Sequence, residues 1–171
     1  PLETGHISIS RATSRAEFPA RFQFVAAMNP CPCGFHGSKL HACRCSPEQV
    51  ARYQGKLSGP LLDRIDLHVE VPAMSPDELL QAPPGEDSDA MRKRCESARA
   101  RGVTRQGMPN SRLAGSALDA QTELDEAATQ FLRRAATRLG WSARATHRVL
   151  RVARTIADLA GETDIQVGHL A

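Results

Sequence analysis

The stretch Gln81-Ala82-Pro83-Pro84-Gly85-Glu86 splits this sequence into two halves of different texture. Pro-Pro-Gly can continue neither a helix nor a strand ladder, so it reads as a linker. Residues 1–82 and 83–171 are therefore expected to form separate domains. The first half carries β-branched and aromatic runs, turns and four of the five cysteines, whereas the second is rich in Ala, Arg, Leu and Glu. Charge divides at nearly the same place. Residues 1–85 hold 8 basic and 8 acidic side chains, so the net +3 comes entirely from residues 86–171. A net charge this small does not by itself mark a nucleic-acid binder. Aromatics make up only 4% of the chain, so its core must be built from Ala, Leu, Val and Ile, which leans towards helix. No apolar run approaches the ~18 residues of a membrane span, and no repeat or low-complexity tract appears.

In the first half, His6-Ile7-Ser8-Ile9-Ser10 alternates with period two and predicts a half-buried strand, with a hairpin tip over 11–15. Arg21 to Met28 alternates and then turns continuously apolar, which predicts a strand buried on both faces and stopped by Asn29-Pro30. Leu67-His68-Val69-Glu70-Val71 predicts another strand. Ser46 followed by Pro47 predicts a helix start, running to about Gln54.

The second half predicts helices. One begins at Asp87 or Ser88 and runs to about Arg101, with Met91, Cys95 and Ala98 inward. Another follows a capping-box-like Thr122-Glu123-Leu124-Asp125 and buries Leu124, Ala128, Phe131, Leu132, Ala135 and Leu139 before Gly140. A third is capped by Ser142, buries Val149, Val152, Ala153, Ile156, Leu159 and Ala160, and ends at Gly161; Arg148, Arg151 and Arg154 then read as its solvated face. A last, short helix is expected after Thr163.

Cys31-Pro32-Cys33 and Cys43-Arg44-Cys45 are two C-x-C pairs nine residues apart. Four thiolates on one loop can enclose a tetrahedral Zn²⁺ as a closed, structural site. Disulfides and unliganded thiols are the alternatives. With no secretory leader at the start of the sequence, a reducing cytoplasm is expected, which favours metal over disulfide. His36 and His41 lie within the loop as substitute ligands, and Cys95 reads as a buried core thiol.

Three single residues and one hairpin tip are ambiguous by residue type alone. Asn29, at the end of an expected strand, either caps a turn or positions a water or phosphate. Arg64, between Asp63 and Asp66, is either an ion-paired surface side chain or a guanidinium offered to a phosphate across a subunit boundary. Arg144 sits in the first turn of a helix, where the macrodipole disfavours a cation by ~0.3–1 kcal/mol, so it either has an anionic partner or is a solvated side chain. Arg11, Thr13, Ser14 and Arg15 form either an ordinary polar turn or a phosphate contact. No G-x-x-x-x-G-K-[ST] occurs, and no expected strand ends in an acidic pair that would hold Mg²⁺. The chain is thus expected to be inactive on nucleotide by itself.

In order and spacing, three stretches resemble the Mg-chelatase-like AAA+ ATPases of the YifB/ComM type. They are Ile7 to Gly34 (through Phe18-Pro19-Ala20-Arg21-Phe22 and Ala27-Met28-Asn29-Pro30-Cys31), Ser58-Gly59-Pro60-Leu61-Leu62-Asp63-Arg64-Ile65-Asp66-Leu67, and Leu150 to Ala160. The resemblance implies an α/β plus all-α fold. Residues 1–82 would be the C-terminal part of an AAA+ core, with a hairpin, strands and a zinc loop, and 83–171 a helical lid. It implies that Asn29 is the sensor-1 residue orienting the attacking water, Arg64 the arginine finger acting on a neighbour's ATP, and Arg144 the sensor-2 arginine. The 6–21 hairpin would point into a ring's pore, with Arg11 and Arg15 at DNA. It further implies a cytoplasmic ATPase, dependent on ATP and Mg²⁺ in the full-length protein. That protein would form a homo-oligomeric, hexameric ring and act on DNA in branch migration, recombination or natural transformation, without a membrane partner. A chelatase-type or remodelling subunit, or a non-enzymatic zinc-bearing module, are the alternatives.

Overall fold

The computed structural model describes residues 2, 4–11 and 13–171, and the chain divides into two units, one ending at Ala82 and the other running from Pro83 to Ala171.

In the first unit, β1 (His6–Arg11) and β2 (Ser14–Pro19) pair antiparallel, with Ile7 opposite Phe18, Ile9 opposite Ala16 and Arg11 opposite Ser14. The turn is tighter than the 11–15 tip expected, and Arg15 lies on β2, opposite Ser10. Ala12 falls outside the described residues. Both strands are exposed along their length. Helix α1 (Pro47–Gln54) starts where Ser46 and Pro47 predict. The Ser46 hydroxyl accepts from the Gln49 amide at 3.3 Å, and the Gln49 side chain accepts from the Ser46 amide at 2.9 Å. Two short helices follow, α2 (Gly59–Leu62), capped by Ser58, and α3 (Pro76–Gln81), capped by Ser75.

The two remaining strands predicted for this unit do not form. Among the described residues, segments 21–28 and 67–71 enter no ladder, and their apolar side chains face solvent, Phe22 at 57% and Val71 at 86%. Period-two alternation says which side chains share a face, but a strand exists only when a neighbour takes its N–H and C=O groups. Here β1 and β2 form the sheet by themselves.

The second unit has its own core. Helix α4 (Ser88–Gln106) extends a full turn past the predicted end and stops at Gly107; a 3₁₀ turn (Asn110–Arg112), α5 (Ser116–Gln121), α6 (Glu126–Leu139), α7 (Ala143–Ala160) and α8 (Val167–Leu170) follow. Leu113, Leu118, Ala128, Leu150, Ala153, Ala157, Ile165 and Leu170 form the buried cluster, with Phe131 and Leu132 packed against it. The Asp125 carboxylate caps α6 by accepting from Ala128, Ser142 caps α7, and Gly140 and Gly161 end the two helices as expected. The cap of α6 is thus Asp125, and Thr122 instead donates its hydroxyl to the Leu118 carbonyl. The short helix expected after Thr163 forms, but it starts at Val167 with Gln166 as its cap residue, whose amide donates to His169 Nδ1 at 3.0 Å, and not directly from Thr163.

Packing corrects several inward assignments. Leu139, Ile156, Leu159 and Met91 are exposed, and Cys95 is an exposed thiol on α4 in place of the buried one expected. On α4 only Ala98 and Gly102 are buried. These two small residues let α4 approach α7 closely; a Cβ on Gly102 would stand 3.0 Å from Asn110 Oδ1 and 3.8 Å from Asp158 Oδ2.

That close approach also reverses the reading of Arg154, which is 2% exposed and belongs to no solvated face. Its Nη2 donates to Asp158 Oδ1 at 3.1 Å and to the Glu162 carbonyl at 2.7 Å, while Nη1 donates to the Thr163 carbonyl. Asp158 is 1% exposed and also accepts from Arg105 at 2.6 and 3.0 Å and from Asn110 at 2.7 Å. A buried charge must be paired, and here α4, α7 and the 3₁₀ turn supply the pairing together. Arg151 is half-buried and donates to the Leu113 carbonyl at 3.3 Å.

Candidate functional site

The cysteine loop brings its four thiols together. Cys31 and Cys33 Sγ stand 3.4 Å apart, Cys31 and Cys43 3.7 Å, and Cys33 and Cys43 3.6 Å, with Cys45 completing a group whose sulfurs all lie within 4.8 Å of one another. A regular tetrahedron of sulfurs at ~2.3 Å from zinc has edges of about 3.8 Å. A disulfide needs ~2.05 Å, and all four cysteines are free thiols. The loop is organised for this arrangement. Gly34 donates its amide to the Cys31 carbonyl at 3.0 Å, the His36 amide donates to Cys31 Sγ at 3.3 Å, and Gln54 on α1 donates to the Pro30 carbonyl at 3.1 Å. His36 and His41 are exposed and stand outside the cluster, His41 edge-on to Phe35 with ring centroids 5.0 Å apart.

The thiols divide into two acidic and two basic members. Backbone amides of Arg44 and Phe35 pull Cys33 down to about 6. Burial and the Cys33 thiol push Cys31 up, yet the amides of His36 and Cys33 and the Cys43 thiol leave it below the ordinary range. The Cys33 amide favours the Cys45 thiolate, but burial, the Cys33 and Cys31 thiols and the charge on Cys31 push Cys45 up to about 12. Cys43, favoured by the Cys45 amide, is raised by burial and by the same two neighbours. Four sulfurs this close cannot all ionise without a cation among them. The donor set therefore fits a soft divalent metal held in a closed site with no open coordination position.

The other predicted residues lie on separate elements. Asn29 is exposed just before the cysteine loop, near Gly34. Arg64 follows α2, is half-buried, and donates to the Pro60 carbonyl at 2.5 Å. Arg11 and Arg15 are exposed near the tip of the β1–β2 hairpin. Arg144 is exposed in the first turn of α7, in the second unit. Of these sets, only the cysteines converge on one point.

The sequence reading passed over a basic groove beside the cysteine loop. Gln49, Arg52, Tyr53 and Lys56, at i, i+3, i+4 and i+7, line it with Cys33, Arg44 and Cys45. Gln49, Arg52 and Tyr53 share one face of α1, and Lys56 follows the helix-ending Gly55; the helical part of this spacing could have been read from the sequence. The Arg154–Asp158 pair, at i, i+4, was legible in the same way.

A hairpin, a thiol loop and short capped helices, followed by a helical unit, are consistent with part of an α/β core and a helical unit of the Mg-chelatase-like class, which comparison with known families shows. The family profile for magnesium chelatase subunit ChlI matches residues 1–79, and that for the ChlI C-terminal region matches residues 85–171. The chain belongs to this family. It is 45% identical over its whole length to competence protein ComM of Haemophilus influenzae, covering 33% of that protein. It is 42% identical to YifB of Salmonella typhimurium and 41% to YifB of Escherichia coli, in each case over 99% of this chain and 33% of the relative. The chain thus spans about a third of the length of these relatives. Among the described residues, no helix is long and apolar enough to cross a membrane.

Proposed function

We propose that this chain is a segment of a ring-forming AAA+ ATPase that couples ATP hydrolysis to translocation on DNA, with branch migration in recombination or natural transformation as its task. The observation that carries this reading is the 45% identity, over the whole of this chain, with a protein named for competence. In this reading the first unit is the C-terminal part of the α/β core and the second is the lid. Asn29 orients the attacking water, Arg64 reaches the ATP of the adjacent subunit, and Arg144 reaches the same nucleotide from the lid. An anion near Arg144 would offset the unfavourable macrodipole at that helix end. The hairpin carries Arg11 and Arg15 towards DNA in the pore of a hexameric ring. Segments outside these residues hold the ATP phosphates and Mg²⁺.

The four cysteines hold one Zn²⁺ as a staple of the loop, in a reducing cytoplasm. Their spacing and their split acidities support this assignment. Metal analysis of the purified chain should give about one zinc per chain, and four titratable thiols without metal would reject the site.

The test of the motor is Arg64→Ala in the full-length protein. ATP binding per subunit should persist while turnover falls about 10³-fold or more, the size of an arginine-finger effect. Turnover within twofold of wild type would remove the finger assignment. The family's name favours a second reading, a chelatase-type or remodelling subunit. Stimulation of ATPase activity by forked or single-stranded DNA decides for the motor, and its absence for the alternative.

A further inference from the structure

We propose that the groove between the cysteine loop and α1 is a second nucleic-acid contact, in which Arg44, Arg52 and Lys56 take phosphates of a single strand and Tyr53 stacks a base. The groove holds about 380 Å³, and none of the residues lining it is acidic. Arg52 lies in the last turn of α1 and Lys56 in the turn that follows its C-terminal Gly55, and both line the groove, so two cations stand along one wall for the phosphates of one strand. Arg44 faces them from the loop. The Lys56 ammonium stands over the half-buried Tyr53 ring, 5.7 Å from its centroid, as a cation–π pair. Base stacking on a ring flanked by cations is how sequence-tolerant single-strand sites are built.

Two neighbouring groups carry negative charge. The only carboxylate on α1, Glu48, is held at the helix start by the Ser46 hydroxyl and its own backbone amide, below the ordinary carboxylate range. With zinc bound, four thiolates around a divalent ion carry a net −2, so together with Glu48 they balance the three cations; the cations act on phosphate through their position on the groove wall, where no acidic side chain lines the groove, and not through a net excess. An acidic peptide would also be attracted to the charges, but it would make no use of an aromatic platform. The aromatic therefore favours nucleic acid.

The inference rests on the DNA reading above, and the two can fail separately. The zinc-loaded chain is titrated with fluorescein-labelled oligo(dT) at several salt concentrations, with polyglutamate as competitor. Arg52→Gln/Lys56→Gln should lower affinity at least tenfold and reduce the slope of log K against log salt by about 1.4. Tyr53→Leu should weaken binding about 5- to 150-fold with little change of slope. Zinc content should be unchanged in both variants. Arg11→Gln/Arg15→Gln should weaken binding independently, its effect adding to that of the groove variant. Unchanged affinity in both groove variants, with a weakened hairpin variant, overturns the inference and leaves the DNA reading standing. Loss of zinc without loss of oligo(dT) affinity assigns the cations to the metal centre and also overturns it. Polyglutamate bound in preference to oligo(dT) overturns it in favour of a protein partner. No binding by the wild-type chain removes the inference and the DNA reading together. If the double variant misfolds, Lys56→Gln alone, at an exposed position, should still lower the slope by about 0.7.

Discussion

Replacing Asp158 by alanine removes the carboxylate on which three donors converge. Arg105 donates to it at 2.6 and 3.0 Å, Asn110 at 2.7 Å and Arg154 at 3.1 Å. The three donors are not stranded equally. The Arg105 side chain is 27% exposed and can turn to water, whereas Arg154 is 2% exposed and keeps only the carbonyls of Glu162 and Thr163. Its Nε is already buried without a hydrogen-bond partner among the described residues. An uncompensated buried guanidinium costs about 3–5 kcal/mol. Against the ~5–15 kcal/mol of a typical domain, that is a large share of the stability of the helical unit. The midpoint of thermal unfolding should fall by at least ~12 °C, taking ~4 °C per kcal/mol for a unit of this size. The comparison that isolates the cause is Arg154→Met. Asp158 then keeps Arg105 and Asn110, so the cost should be smaller, about 1–3 kcal/mol. Urea and thermal unfolding of the chain, followed by circular dichroism, measure both variants. An Asp158→Ala cost below ~1 kcal/mol, or a larger cost for Arg154→Met, would refute the argument that an orphaned buried cation sets the magnitude.

Other outcomes follow from the same geometry. Burial opposes ionisation of Asp158, but hydrogen bonds from Arg105 and Asn110 and the charge of Arg154 outweigh it and hold the carboxyl below its ordinary range. Its folded value therefore lies below its unfolded value of ~3.9, so its contribution is complete above about pH 4 and is lost as pH falls through the folded value. Acid unfolding of Asp158→Asn should lack that step. Leu118→Ala empties a fully buried position in the helical core and should cost ~2–5 kcal/mol in urea melts. Gly161→Ala imposes a side chain at φ +84 and puts a Cβ 2.9 Å from Arg101 Nη1, which donates to the Asp158 carbonyl; a loss of ~1–3 kcal/mol is expected. In the metal-free chain near pH 7, Cys33 should be alkylated before Cys45, because one sits at about 6 and the other at about 12; mass spectrometry of partly alkylated peptides reads the order.

What the sequence determined by itself was mostly local. Ser46-Pro47 before α1, Ser142 before α7, and Gly140 and Gly161 at helix ends act within a turn of where they stand, so a linear reading finds them. The cysteine cluster was legible for the same reason, since its ligands come from one short loop. Asn29, Arg64 and Arg144 could be named from family resemblance, but residue type left each ambiguous, because their proposed partner is a nucleotide and a neighbouring subunit.

Tertiary structure decided whatever depends on a neighbour distant in the chain. The alternation at 21–28 and 67–71 was real, but without a partner strand it made no sheet. Arg154 lies off the apolar stripe of α7 and reads as solvated. It is buried because Ala98 and Gly102 bring α4 against that side of the helix and Arg105 and Asn110 arrive to share Asp158. Side-chain periodicity gives the direction in which a residue points. Whether it meets water, an anion or another helix is set by contacts some 50 residues away, such as the 53-residue separation of Arg105 and Asp158. Only the packed chain contains that information.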